Sequence, residues 1–209
     1  MPLSISPVIL AGHLSKNPQP ILHADELTLR PWLPDDVPAV LQAFTDPAIQ
    51  RWHRQTMTSR EEALAWIGQW PDRWHAEKDA CWAVTRATEV VGRVTLSTVN
   101  LFEGAAQITY WSLPTARGQG VATRAGAQVV RWAFEAGFHR LELKHSIANP
   151  ASCRVADKLG FPLEGSLRSA LRHEDGWHDM HLHARVVDDE LGHPELVGGS
   201  DTWKGEELW

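Results

Sequence analysis

The stretch with the most chemical potential is Tyr110-Trp111-Ser112-Leu113-Pro114-Thr115-Ala116-Arg117-Gly118-Gln119-Gly120-Val121-Ala122-Thr123, a strand that passes through a two-glycine loop into a helix. A helix opening from such a loop leaves backbone N–H groups unpaired at the positive end of its dipole, which makes an anion cradle that a pyrophosphate commonly occupies. The same letters also suit a plain helix start in which the glycines only turn the chain. A nucleoside-triphosphate loop would close on Gly-Lys-Ser/Thr, but Gly120 is followed by Val121 and Ala122, so the lysine for the β- and γ-phosphates is missing. The dinucleotide fingerprint fits poorly as well: its third small residue falls on Thr123, and Glu142 lies inside the next strand rather than at its end.

A second candidate is Asn149-Pro150-Ala151-Ser152, with Asn as N-cap, Pro at the first helical position and Ser152 in the first turn. Lys158 in the last turn and Gly160 just beyond complete a well-capped helix. Cys81 and Cys153 lie far apart and match no metal spacing, so neither a disulfide framework nor a zinc site is expected, and Cys153 reads as a buried structural thiol. His181 and His183 alternate on one strand face, a spacing that could suit a metal, but core or solvated histidines are the simpler reading and no metal is expected.

These residues need a scaffold, and 209 residues at 43% hydrophobic content are enough for one sizeable core. Residues 1–24, with four prolines, read as an extended arm whose Val8-Ile9-Leu10 run pairs with a sheet edge. Glu26 to Arg30 alternates as a half-buried strand. Pro34-Asp35-Asp36 starts a helix that Asp46-Pro47 stops, and Ser59 with Glu62 forms a capping box for a second, bent or ended at Pro71. Its tryptophan stripe reads as mostly core. Strands at Cys81–Arg86, Val90–Val99 and Ala106–Leu113 lead into the glycine loop, and Gly92 signals a bulge or close backbone approach. A helix ending near Gly137, a strand Arg140–Ile147, the short helix Pro150–Leu159 and strands near Leu163–Leu167 and Met180–Val187 follow. The order β-α-α-β-β-β-α-β-α-β-β is that of an α+β layer architecture.

No apolar run approaches a bilayer span and the first ten residues lack a basic leader region, so a cytoplasmic protein with no membrane partner is expected. A net charge of −6 without Lys/Arg clusters argues against nucleic acid and would attract a cationic acceptor. Asp188 to Trp209 carries seven acidic residues against one lysine, and reads as a mobile tail.

Arg117-x-x-Gly120-x-Ala122 resembles the acyl-CoA-binding loop of the GNAT family of N-acetyltransferases. The string Ser146-Ile147-Ala148-Asn149-Pro150-Ala151-Ser152-x-x-Val155-x-x-Lys158-Leu159-Gly160-Phe161, then Leu163-Glu164-Gly165, is similar to its RimJ/RimL branch, as are Leu27-x-Leu29-Arg30-Pro31 and His178-Asp179-Met180. The resemblance spans roughly residues 25–190. It implies a GNAT fold: a mostly antiparallel sheet of about seven strands and about four helices, splayed into a V at the acyl-CoA site, with 1–24 as arm and 191–209 as tail. It implies acetyl-CoA as cosubstrate, no metal, and a homodimer. In the fold it implies, one or two tryptophans of the Ser59 helix would line an acceptor groove.

By the resemblance, Gly118, Gln119, Gly120, Val121, Ala122 and Thr123, with Arg117, hold the pyrophosphate. Trp111, Ser112 and Leu113 border pantetheine, Asn149 contacts its arm, and Ser152 serves as general acid to the departing thiolate. The acceptor implied is a protein N-terminus, possibly ribosomal, or a small amine. The chain departs from the family pattern at the base: Gln107 stands where relatives often carry Glu, and can only hold a water, while Leu171 occupies a second carboxylate position. His173 and Glu174 are stand-in bases, though both also suit a solvated hairpin. Two other readings stay open: a CoA-binding module without catalysis, and transfer of another acyl group such as succinyl.

Overall fold

The computed structural model describes residues 5–53 and 55–191; nearly all of the expected tail lies outside them. Eight strands form one sheet: β1 (Leu22–Ala24), β2 (Leu27–Arg30), β3 (Ala80–Arg86), β4 (Glu89–Asn100), β5 (Ala105–Ser112), β6 (Arg140–Ser146), β7 (Leu163–His173) and β8 (Gly176–Val186), in the order 1-2-3-4-5-6-8-7. Five α-helices accompany it: α1 (Val37–Thr45), α2 (Pro47–His53), α3 (Arg60–His75), α4 (Val121–Glu135) and α5 (Pro150–Lys158). Every strand pairing is antiparallel except that of β5 with β6.

That exception makes the site. β5 and β6 pair only through Ala105–Gln107 and Arg140–Glu142, after which the ladder ends and the strands diverge. Ile108 to Ser112 on one side and Leu143 to Ser146 on the other therefore border an open wedge.

Period-two alternation sends β3 and β5 side chains to two cores. Trp82, Val84, Ala106 and Ile108 join Val121, Ala125 and Val129 of α4 and Ala156 and Leu159 of α5. Cys81, Ala83 and Trp111 join Val40 and Phe44 of α1 and Ala63, Trp66 and Ile67 of α3. Both faces of the central sheet are covered, and burying each large side chain contributes about 1.5–3 kcal/mol.

The architecture agrees with the expected sheet of about seven strands and about four helices; among the described residues there are eight and five, because β1 adds an edge hairpin and Pro47 begins a helix instead of only ending one. Asp46 Oδ1 accepts the Ile49 N–H at 3.0 Å, and proline at a first helical position lacks only an N–H that would have no helical partner. α3 passes through Pro71 to His75, its last turn anchored by buried Trp74, whose indole N–H donates to Asn17 O at 3.0 Å. Its tryptophans pack inward, Trp66 lying 5.0 Å from Trp32, and do not reach the wedge.

The N-terminal segment is tied down. Val8 and Ile9 N–H groups donate to Phe102 and Leu101, in the turn between β4 and β5, and the Glu77 carboxylate accepts Gly12, Leu14 and Ser15 amides. β7 and β8 are longer than expected because β7 is the outermost strand and mostly exposed, so residues 168–172 show no apolar alternation.

Candidate active site

The wedge is a cleft of about 910 Å³. One wall comes from the glycine loop. Gly118 and Gly120 sit at φ +75° and +72°, the left-handed region that glycine enters without penalty. Gly120 is also the N-cap of α4, and it offers no side chain to the first-turn amides of Val121, Ala122 and Thr123. Those three residues, with Arg117, Gly118 and Gly120, line the cleft. The first turn of this 15-residue helix has no side-chain cap, so its amides are left open, as an anion cradle would require.

The loop is braced from outside. Arg117 pairs with Asp46 at 2.5 Å. Burial alone would raise the Asp46 pKa, but the Arg117 hydrogen bond and the Ile49 amide outweigh it and hold the carboxyl below its ordinary value. Gln119 faces away from the cleft, donating to Thr115 O at 2.7 Å and accepting from Arg86 at 2.8 Å. Leu113 is buried in the second core, whereas Ser112 borders the opening and Trp111 does so with its ring among Phe44 and Trp32. At Gly92 a Cβ would stand 2.7 Å from Trp111 O, the close approach that glycine there signals.

Across the wedge, α5 brings Asn149, Ala151 and Ser152 to the cleft, along with two cations that sequence reading did not select, Arg154 and Lys158. Asn149 caps α5: its Oδ1 accepts the Ser152 N–H at 3.2 Å. Ser152 then meets Tyr110, whose buried phenol makes no hydrogen bond of good geometry. Burial pushes that phenol's pKa up to about 12, and the neighbouring Ser152 hydroxyl draws it partly back. Tyr110 thus stays neutral, a second O–H beside Ser152.

The remaining wall is made by α2 and the end of β7. Ile49, Trp52 and His53 enter from α2, Leu171 and His173 from β7, and Gln107 from β5. His53 Nε2 donates to Tyr110 O at 3.1 Å, which shows that this carbonyl, and with it the Tyr110 N–H, faces the opening side of β5. Burial, with Arg93 adding to it, pushes the His53 pKa down to about 3, so the ring is neutral. His173 is buried, lies edge-on to Trp52 at 5.7 Å, and donates Nδ1–H to Arg51 O at 2.8 Å. Glu174 is exposed in the β7–β8 turn and is not among the cleft residues. Next to His173, Ser146 Oγ meets His178 Nδ1 at 2.7 Å and His178 Nε2 meets Asp175 Oδ1 at 2.7 Å, a chain running from the cleft to the surface.

The family model for the GNAT acetyltransferase domain matches residues 26–162, more than half of the chain. The chain belongs to the GNAT acetyltransferase family. Its sheet, helices and β5/β6 splay are the GNAT fold anticipated from the sequence. A ribosomal-protein-serine acetyltransferase of Escherichia coli K12 is 29% identical over 108 residues, 51% of this chain and 60% of that enzyme; the match thus spans about three fifths of that relative. An uncharacterised Bacillus subtilis N-acetyltransferase, YoaA, is 26% identical over 80% of this chain and 97% of its own length. Among solved structures, the RimL ribosomal L7/L12 α-N-protein acetyltransferase in complex with coenzyme A superposes with a TM-score of 0.75 at 24% identity, covering 81% of this chain and 99% of that one. The microcin C7 self-immunity acetyltransferase MccE, in complex with acetyl-CoA and AMP, gives 0.70 at 21%, over 78% and 93%. No helix among the described residues is long and apolar enough to cross a membrane.

Proposed function

We propose that this GNAT protein transfers acetyl from acetyl-CoA to a primary amine, by direct attack in a ternary complex, and that a protein N-terminal α-amine is its acceptor. The observation that carries the reading is the joining, in one cleft, of an uncapped helix start with the Ser152 hydroxyl across the β5/β6 splay. Amides of residues 118–123 take the pyrophosphate, Arg154 and Lys158 add positive charge, and pantetheine runs along the open edge of β5 beside Asn149. The Tyr110 N–H polarises the thioester carbonyl. The amine nitrogen bonds to that carbon as the carbon–sulfur bond breaks, and the thiolate leaves toward Ser152. A thiolate whose acid has a pKa near 8.5 needs a hydrogen-bond donor more than a strong acid, which a first-turn hydroxyl provides.

For the base, His173 takes precedence over Glu174 and over a water held by Gln107. It lies two residues from Leu171 on the same face of β7, inside the cleft. Choice of acceptor follows from magnitude: deprotonating an α-amine of pKa 7.7–8.0 at pH 7 costs about 1 kcal/mol, against roughly 4.6 for a lysine. A single imidazole suits the first. The likeness to ribosomal-protein acetyltransferases favours the N-terminus of a ribosomal protein. The homodimer implied by the resemblance has its natural surface at β7, where Leu163 and Leu167, with Trp177 of β8, are exposed.

Thiol release from acetyl-CoA, measured against N-terminal peptides, free lysine and small amines, tests the proposal. Turnover on α-amine peptides, lost in Ser152→Ala, is expected. Tight CoA binding without turnover on any amine would instead favour a binding module, and preference for succinyl-CoA a different acyl group.

A further inference from the structure

Beside the cleft, which His145 also lines, lies a group of side chains that acyl transfer does not use. His145 of β6 stands opposite His181 of β8, and Leu143 opposite His183, so alternation places three imidazoles on one face of the sheet. Cys153, in the first turn of α5, reaches the same point. One donor atom from each of the four lies within 4.8 Å of every other. His145 and His183 are 6% and 1% exposed.

Tautomers decide what this group can bind. His145 Nδ1 lies 2.8 Å from Ser146 O, and His183 Nδ1 lies 3.0 Å from Phe161 O. A carbonyl only accepts, so both rings carry their hydrogen on Nδ1 and both present a lone pair at Nε2. Those two Nε2 atoms face each other at 3.2 Å, a contact that needs a positive species between or beside them. A single proton would serve two donors and leave two idle: the Cys153 thiol, and His181, whose Nδ1 is buried without a hydrogen-bond partner. A metal ion uses all four. Around a tetrahedral zinc with Zn–N of about 2.0–2.1 Å, nitrogen ligands lie about 3.3 Å apart, close to the spacing seen. Imidazole N–H donation to a backbone carbonyl is also the support that ligating histidines habitually have.

We propose that His145, Cys153, His181 and His183 bind one tetrahedral transition-metal ion, zinc(II) being the best-fitting, and that the ion staples the first turn of α5 to β6 and β8. Three imidazoles and a thiolate exclude the hard cations magnesium and calcium. On binding, Cys153 releases its thiol proton to solvent and forms a metal–sulfur bond, with no change of oxidation state. The ion takes no part in acyl transfer. Its effect is positional: Cys153 follows Ser152 directly, so fixing one fixes the other.

The test uses the full chain without a histidine tag, stripped with chelator and titrated with cobalt(II), then zinc(II), in the absence of CoA. One equivalent of cobalt should bind with tetrahedral d–d bands and a thiolate-to-cobalt charge-transfer band, both removed by zinc. Cys153→Ser should lose the charge-transfer band while keeping its far-ultraviolet circular dichroism. His181→Ala should weaken zinc binding by more than the roughly 10–100-fold that loss of a supporting partner costs. Zinc should raise the melting midpoint of the wild type but not of Cys153→Ser. Failure of the wild type to take up one equivalent, or a charge-transfer band that persists in Cys153→Ser, overturns the proposal; neither result bears on acetyl transfer.

Discussion

The two sides of the cleft are built by different means. The donor side is mostly backbone: two left-handed glycines, an uncapped helix start and the open edge of β5, with Ser152 set by an Asn149 cap. The proposed acceptor side is formed by residues brought from α2, β5 and β7, far apart in the chain. On the proposed reading, backbone would recognise what every acyl-CoA shares and side chains what differs between acceptors. Substitutions should therefore divide: those on the donor side move acetyl-CoA affinity or the departure of sulfur, and those on the acceptor side move the amine alone.

The sharpest way to break this division is Ser152→Ala. Loss of a preorganised donor costs about 10²–10³ in kcat, and acetyl-CoA binding should hardly change. Steady-state kinetics with CoA calorimetry checks both halves. An unchanged kcat would transfer the role to Tyr110, whose hydroxyl adjoins Ser152.

Next comes Gly120→Val. A side chain at φ +72° costs about 1–2 kcal/mol and crowds the cradle, so acetyl-CoA affinity should fall roughly tenfold or more with the acceptor KM intact. Equal losses in both would blur the two walls into one. On the acceptor side, His173→Gln should cost roughly fivefold at pH 7, because deprotonating an α-amine there costs about 1 kcal/mol. The deficit should vanish above about pH 9, where the amine is already neutral. A deficit independent of pH would remove His173 from the role of base.

Smaller still is Arg117→Ala, which releases the loop from Asp46; a partly exposed ion pair is worth about 0.2–1 kcal/mol, so acetyl-CoA affinity should drop at most about fivefold. The smallest of these effects, read in stability rather than in turnover, belongs to His53. Its folded pKa of about 3 lies below the ordinary 6.5, so the unfolded chain takes up a proton that the native ring refuses. That contribution is whole above pH 6.5 and is lost as pH falls toward about 3. Urea unfolding at pH 7 and pH 5 should show a steeper acid loss for wild type than for His53→Gln.

The same contrast governs what could be read from the chain. Caps and positive-φ glycines are local devices, so Gly118, Gly120, Asn149 and Ser152 were legible from a few neighbouring letters. The capping box of Ser59 and Glu62 was legible for that reason too. α2 was hidden because Asp-Pro signals a helix end and a helix start alike, and with it went Trp52 and His53. The only signal for them was Pro47 itself, read as N1 of a new helix. β7 reads short in sequence because an exposed edge strand shows no apolar alternation, which hides the burial of His173 against Arg51. Arg154 and Lys158 could have been found from their spacing, i and i+4 on a helix whose first turn already pointed to a site.

A crystal structure of the chain with acetyl-CoA tests the central claim most directly. Pyrophosphate oxygens should lie on the amides of residues 118–123 and the thioester sulfur within hydrogen-bond reach of Ser152 Oγ, inside the β5/β6 wedge. A cofactor bound elsewhere, or in the wedge with its sulfur away from Ser152, would contradict it.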